Sequence, residues 1–99
     1  MVVNTVIRVK RVSKGVIGVE VVLPNAPPLV LIRGSRGFVM CGYLDMSVAE
    51  KLGLVCARVT GISSVEEMLD AVISEASSAA IKQGIKPGMR VRDVVKAIE

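Results

Sequence analysis

Two alternating runs rich in β-branched residues, 6–12 (V-I-R-V-K-R-V) and 16–23 (V-I-G-V-E-V-V-L), flank the break Ser13-Lys14-Gly15. Their pairing constrains the fold more than any other feature of the chain. Gly15 can adopt φ > 0, which suits a three-residue hairpin loop closed by a bulge. In the resulting register Arg8 faces Glu20, Ile7 faces Val21 and Val9 faces Val19. One face of the hairpin is then mostly apolar and the other carries an opposite-charge pair. A slip of one residue would exchange the faces of one strand and destroy that sorting.

Pro24-Asn25-Ala26-Pro27-Pro28 breaks the sheet pattern. A second hairpin follows, with Leu29-Val30-Leu31-Ile32 and Phe38-Val39-Met40-Cys41 joined by Arg33-Gly34-Ser35-Arg36-Gly37. Four consecutive apolar residues on its first arm predict a strand covered on both faces. After Gly42 the period changes. Ser47-Val48-Ala49-Glu50 reads as a capping box opening a short helix that ends at Gly53. Residues 54–60 read as another strand, ended by Gly61. Ser64-Val65-Glu66-Glu67 is a second capping box and opens a helix to Leu69 or Asp70. Residues 72–83 predict a further helix stopped by Gly84. Pro87-Gly88 makes a turn, and Val91, Val94, Val95 and Ile98 fall on one stripe of a final helix. The 99 residues therefore predict a single α+β domain, 1–99, with N-terminal β-hairpins forming an antiparallel or mixed sheet and helices following.

A chain of this length buries only about two-thirds of the surface its unfolded form exposes. Yet 52% of its residues are hydrophobic and its mean hydropathy is +0.59. A subunit interface absorbs such a surplus, and the first hairpin, with little helix to cover it, is where subunits are expected to meet. A membrane is the other way to absorb it, but no apolar run approaches the ~20 residues a spanning helix needs. Met1-Val2-Val3-Asn4-Thr5 lacks the features of a secretory leader. Two cysteines without an export signal point to the cytoplasm and to reduced thiols, although intracellular proteins of hyperthermophiles do carry disulfides. The net charge is +4. The basic residues are scattered among acids, and the sole aromatics are Phe38 and Tyr43, which argues against a platform for stacking nucleic-acid bases.

Cys41 is the side chain with most chemical potential. It follows a strand and precedes Gly42, so its backbone can bend and be approached closely. Asp45 lies four residues on, and Arg58 sits on the next strand. A thiol beside an arginine or a helix N-terminus can become a nucleophile. The competing reading makes Cys41 a small buried hydrophobe, Asp45 a helix cap and Arg58 a paired structural charge. The chain has no histidine, so a Cys-His or Ser-His pair is excluded. Two widely spaced cysteines argue against a zinc site, and no motif calls for a cofactor. Cys56 reads as core, and its pairing with Cys41 stays open. Arg33-Gly34-Ser35-Arg36-Gly37 reads as a solvated turn, with anion binding by its N–H groups and guanidiniums as the alternative.

The run Gly37-Phe38-Val39-Met40-Cys41-Gly42-Tyr43-Leu44-Asp45 resembles the G-aromatic-I/V-M-C-G-x-L-D motif of the YunC-like proteins, a small bacterial and archaeal family of unknown function. Three further blocks follow in order. Arg58-Val59-Thr60-Gly61 is similar to its R-A-V-G, Ser64 to Ala71 to its T-I-D-Q-L-L-D-A, and Gly84 to Met89 to its G-I-x-x-G-M. The resemblance implies an α+β fold whose N-terminal β region mediates tetramerisation, and it carries no established activity. The family's proline after L-D-A is Val72 here, which implies more continuous helices across that point.

Overall fold

A computed structural model describes residues 6–99; the leader-free reading of residues 1–5 lies outside them. In chain order the elements are β1 (Ile7–Ser13), β2 (Val16–Val21), β3 (Leu29–Arg33), β4 (Phe38–Met40), α1 (Met46–Lys51) and β5 (Cys56–Arg58). Then come α2 (Val65–Asp70), β6 (Glu75–Ala76), α3 (Ser78–Lys82), and a 3₁₀ turn (Val91–Val94) running into α4 (Val95–Ile98). The fold is α+β. One mixed sheet holds all six strands in the order β1-β2-β3-β4-β5-β6. Every pair is antiparallel except β4 and β5, which run parallel with α1 as their crossover.

The first hairpin has the expected register, with Ile7 opposite Val21, Arg8 opposite Glu20 and Val9 opposite Val19. A bulge lies between Arg11 and Ser13, and Gly15 takes φ +78°. The charged side of this hairpin is the side turned inward. Glu20 is only 2% exposed. Its carboxylate accepts from the Lys10 ammonium at 2.8 Å, from the Val65 N–H at 2.8 Å and from Arg8 at 3.5 Å. Lys10 also donates to Glu66 at 2.9 Å, so β1 and β2 are tied to the first turn of α2. Gly18 makes the close approach possible: a Cβ there would stand 2.6 Å from both γ-methyls of Val65.

The main core fills the face of the sheet beneath α2 and α4. Val30, Ile32, Val39, Ala57 and Val59 meet Met68, Ile73, Ile85, Val91 and Ile98 there. The opposite face carries a smaller cluster, in which Met40 and Cys56 pack against Ala49 of α1. Beyond α1 no other described element covers that face. β3 is therefore fully buried on one side and only half-buried on the other, not covered on both.

Several boundaries differ from the sequence reading. Asp45, not Ser47, caps α1; its carboxylate accepts from the Ser47 N–H and hydroxyl at 2.9 and 2.7 Å. Glu50 reaches instead to the Ser78 N–H at 2.9 Å, at the start of α3. β5 spans three residues rather than seven. Ser64 caps α2 as expected, accepting from the Glu67 N–H at 3.0 Å, but the Glu67 carboxylate takes the Ser63 N–H. The continuous helix over 72–83 does not form. Ala71 turns extended at ψ 155°, Val72 bridges to Arg90, and Glu75–Ala76 add β6 to the sheet. The buried Ser77 hydroxyl then caps α3 from the Ala80 N–H while donating to the Leu54 carbonyl at 2.6 Å. The final apolar stripe is buried as its spacing predicts, with a 3₁₀ first half.

Burial pushes the Glu20 carboxyl up, but the Lys10 ammonium, the Val65 N–H and Arg8 outweigh it, and the group is held below its ordinary 4.5. A carboxylate with a lowered folded-state pKa contributes stability that is complete above the unfolded value and lost as pH falls through the folded one. Glu20→Ala is expected to cost about 2 kcal/mol in urea unfolding at pH 7. Its stability should also decline less steeply than the parent's as pH falls below 4.5; parallel declines would contradict the role given to Glu20.

Candidate functional site

The parallel pair β4–β5 directs its carboxyl ends to one end of the sheet. In open sheets, crevices outside the carboxyl ends of parallel strands are common ligand sites. β4 runs on into Cys41-Gly42-Tyr43, and β5 into Val59-Thr60-Gly61, where Gly61 turns the chain at φ +75°. Between these ends lies a cavity of about 410 Å³. Cys41, Gly42 and Tyr43 form one wall, Gly61, Ile62 and Ser63 a second, and the rigid Pro27-Pro28 segment a third. The Tyr43 hydroxyl donates to the Pro27 carbonyl at 2.7 Å and ties two of these walls together. Among the described residues no charged side chain lines the cavity. Its polar equipment is a thiol, a phenol, a serine hydroxyl and main-chain groups.

Of the three candidate residues, only Cys41 lines this cavity. It is 4% exposed, packs in the main core, and its Sγ accepts the Val30 N–H at 3.4 Å. Asp45 is occupied in capping α1; the Ser47 hydroxyl and N–H, with the nearby Arg58 charge, hold its carboxyl below the usual range. Arg58 pairs with Glu75 at 2.9 Å and donates to the Gly42 carbonyl at 3.3 Å. Its Nε is buried without a hydrogen-bond partner among the described residues. Arg58 shares its sheet row with Met40, whereas Cys41 points to the other face, so the guanidinium and the thiol stand on opposite sides of the sheet.

Cys56 lies in the smaller cluster, its Sγ 3.6 Å from the Met46 sulfur, and burial pushes its thiol up. Both cysteines are free. Among the described residues no group of three His, Cys, Asp or Glu stands together as a metal site, and no helix is long and apolar enough to cross a membrane.

In the Arg33–Gly37 loop the side chains of Arg33, Ser35 and Arg36 are exposed, as in a solvated turn, but the backbone is engaged. The Ser35 and Arg36 N–H groups donate to the main-chain oxygens of Glu99 and Ile98 at 3.2 and 3.0 Å, and the Gly34 N–H to Gly37 at 2.9 Å. The Ser35 and Arg36 amides are thus spent on clasping the end of α4. The clasp demands glycine, since a Cβ at Gly34 would lie 1.9 Å from the Ile98 oxygen.

Tyr43, Pro27, Pro28, Ile62 and Ser63 escape a reading that looks for ionisable chemistry. The available signals are the double proline, which fixes a rigid segment, and an aromatic residue beside the Cys-Gly pair in a chain with two aromatics. Iodoacetamide is expected to label both thiols far more slowly in the folded than in the urea-unfolded chain. Tyr43→Phe, which frees the Pro27 wall, should speed labelling of Cys41 and leave Cys56 unchanged, as read by peptide mass. A Cys41 that reacts at the unfolded rate in the native protein would contradict this geometry.

Residues 40–98 match a protein family described as a domain of unknown function, DUF1805. The chain is 35% identical over 81 residues to the uncharacterized protein YunC of Bacillus subtilis (strain 168), covering 78% of this chain and 79% of that one. It is also similar to the crystal structure of a protein of unknown function, TA1206, from Thermoplasma acidophilum. That likeness has a TM-score of 0.87 and 35% identity, and covers 94% of this chain and 93% of the other.

Proposed function

The chain belongs to the DUF1805 family of YunC-like domains of unknown function, and on that premise we propose that it is a cytoplasmic homotetramer that binds a small uncharged molecule in the cavity between Cys41, Tyr43 and Gly61. One observation carries the ligand reading: the first of the blocks that resemble the family's motifs meets the junction of the second and third at this cavity. Cys41-Gly42-Tyr43 comes from the first block, Gly61 closes the second, and Ser63 abuts the third. An apolar lining with a few fixed polar groups suits a neutral ligand held by shape and by one or two hydrogen bonds. Tested by NMR against neutral aromatic and amide fragments, the protein is expected to give shifts that cluster at Gly42, Tyr43, Gly61 and Ser63. Ile62→Trp, which fills the cavity, should abolish them. Fragments that perturb none of these amides would sink the reading.

The open face of the sheet supports the assembly reading. Ile7, Val21 and Leu29 form one row across β1–β3, and Val9, Val19 and Leu31 the next. Val9 is 65% exposed and Ile7 54%. A contiguous apolar sheet face of this kind marks an interaction surface, and a self-complementary patch on every copy generates closed symmetric oligomers. Light scattering at micromolar concentration is expected to give four times the 10.5 kDa chain mass. Val9→Glu should shift the population to smaller folded species; a monomeric parent protein would remove the assembly half of the proposal.

A second reading, in which Cys41 is the nucleophile of a thiol-dependent enzyme, is favoured by its place in the cavity wall. Cys41→Ser separates the two. It leaves fragment binding intact if the cavity only binds, and removes turnover of a bound electrophile if the thiol reacts.

A further inference from the structure

A second cavity, of about 480 Å³, opens beside the clasped loop at the other end of the sheet. Leu31, Phe38, Leu44 and Leu54 supply its apolar surface, and Arg33 and Arg36 stand in its wall. Each guanidinium is steadied by one main-chain oxygen: Arg33 donates to Gly34 at 3.1 Å, and Arg36 to Lys96 at 3.1 Å. A guanidinium carries five N–H donors in a planar fork, so most of each fork is left over. Arg11 lies in the same sheet row as Arg33, across Ile17, and adds positive charge to this end of the face.

None of these three arginines has an ion-pair partner among the described residues, and the chain has almost no acid left to give them. Of its nine acidic side chains, eight are engaged. Glu20 and Glu66 hold Lys10, Glu75 holds Arg58, and Asp70 holds Arg92. Asp45 caps α1, while Glu50 binds Ser78, Glu67 binds Ser63, and Glu99 binds Ser13. Asp93 alone is uncommitted. A second copy of the chain therefore brings little counter-charge to this cavity, and the complement has to come from elsewhere.

We propose that this cavity is a binding site for a small organic carboxylate with an apolar body, the carboxylate taken by Arg33 and Arg36 and the body by Leu31, Phe38 and Leu54. The planar fork of arginine matches the two oxygens of a carboxylate, and the leucine and phenylalanine surface accounts for the apolar part. The Gly34, Ser35 and Arg36 amides contribute nothing, because Gly37, Glu99 and Ile98 hold them. The site is independent of the cavity at Cys41 and takes ligands of opposite character.

Octanoate, octanol and acetate titrated into the isotopically labelled protein test it. Octanoate is expected to shift the amides of Ser35, Phe38 and Val55, to leave Gly42 and Gly61 in place, and to bind about ten-fold more tightly than either comparison compound. Arg33→Gln, an exposed substitution that leaves the clasp intact, should erase most of the advantage over octanol. Leu54→Glu, which sets a like charge in the wall, should do the same. Octanol binding as tightly as octanoate, Arg33→Gln binding as the parent does, or shifts gathered at the Cys41 cavity would each overturn the assignment.

Discussion

An ionised carboxylate inside a small protein must be met by donors, and Glu20 is met by a lysine, an arginine and the first N–H of a helix. Unpaired, a buried charge is among the costliest things a fold can contain. Paired in this way, it decides two matters at once. It fixes the register of the first hairpin, because only the observed pairing puts Arg8 opposite Glu20. It also turns the Arg8, Lys10 and Glu20 side toward α2, so Ile7, Val9, Val19 and Val21 are left on the far side. The uncovered apolar face is the geometric counterpart of the buried acid. Gly18, two residues away on the same side of β2, lets the helix come close enough to complete the arrangement.

Where the sequence was legible, local chemistry and tertiary packing agreed. The hairpin register followed from strand alternation, the cap at Ser64 from its own hydroxyl, and the stripe of Val91, Val94, Val95 and Ile98 from helical spacing. Residues 72–83 misled because alanine and serine there are compatible with a helix, while the forces that win are distant ones. Ser77 is captured by Leu54 and Cys56, and Glu75 by Arg58. Asp45 displaced Ser47 as a cap for a smaller reason: the chain enters α1 two residues earlier, and either side chain can do the work. The Arg33–Gly37 loop was legible as a hairpin connection, but its clasp was not, since those partners lie about sixty residues away.

The same division applies to the two cavities. Cys41 and Gly42 stood out because their chemistry is unusual, and they do border a cavity. Arg58 and Asp45 stood out beside them by proximity along the chain, yet strand alternation sends Arg58 to the other face and capping occupies Asp45. Proximity in sequence across a parallel pair says little about which side of the sheet a side chain reaches. The face is set by parity, and parity separates Val39 and Cys41 from Met40 and Arg58.

The strands lie in the sheet in the order in which they occur along the chain. Each can add to an edge already formed by its predecessor: β2, β3 and β4 close only short loops, whereas β5 and β6 each close over a helix-bearing connection of about fifteen residues. The clasp is the exception. It joins residues 34–36 to 96–99, a closure far longer than any between neighbouring strands. Together with the Ser13–Glu99 contact it is therefore a late event of folding, and Arg36 takes its fixed position only when residues 96–99 arrive.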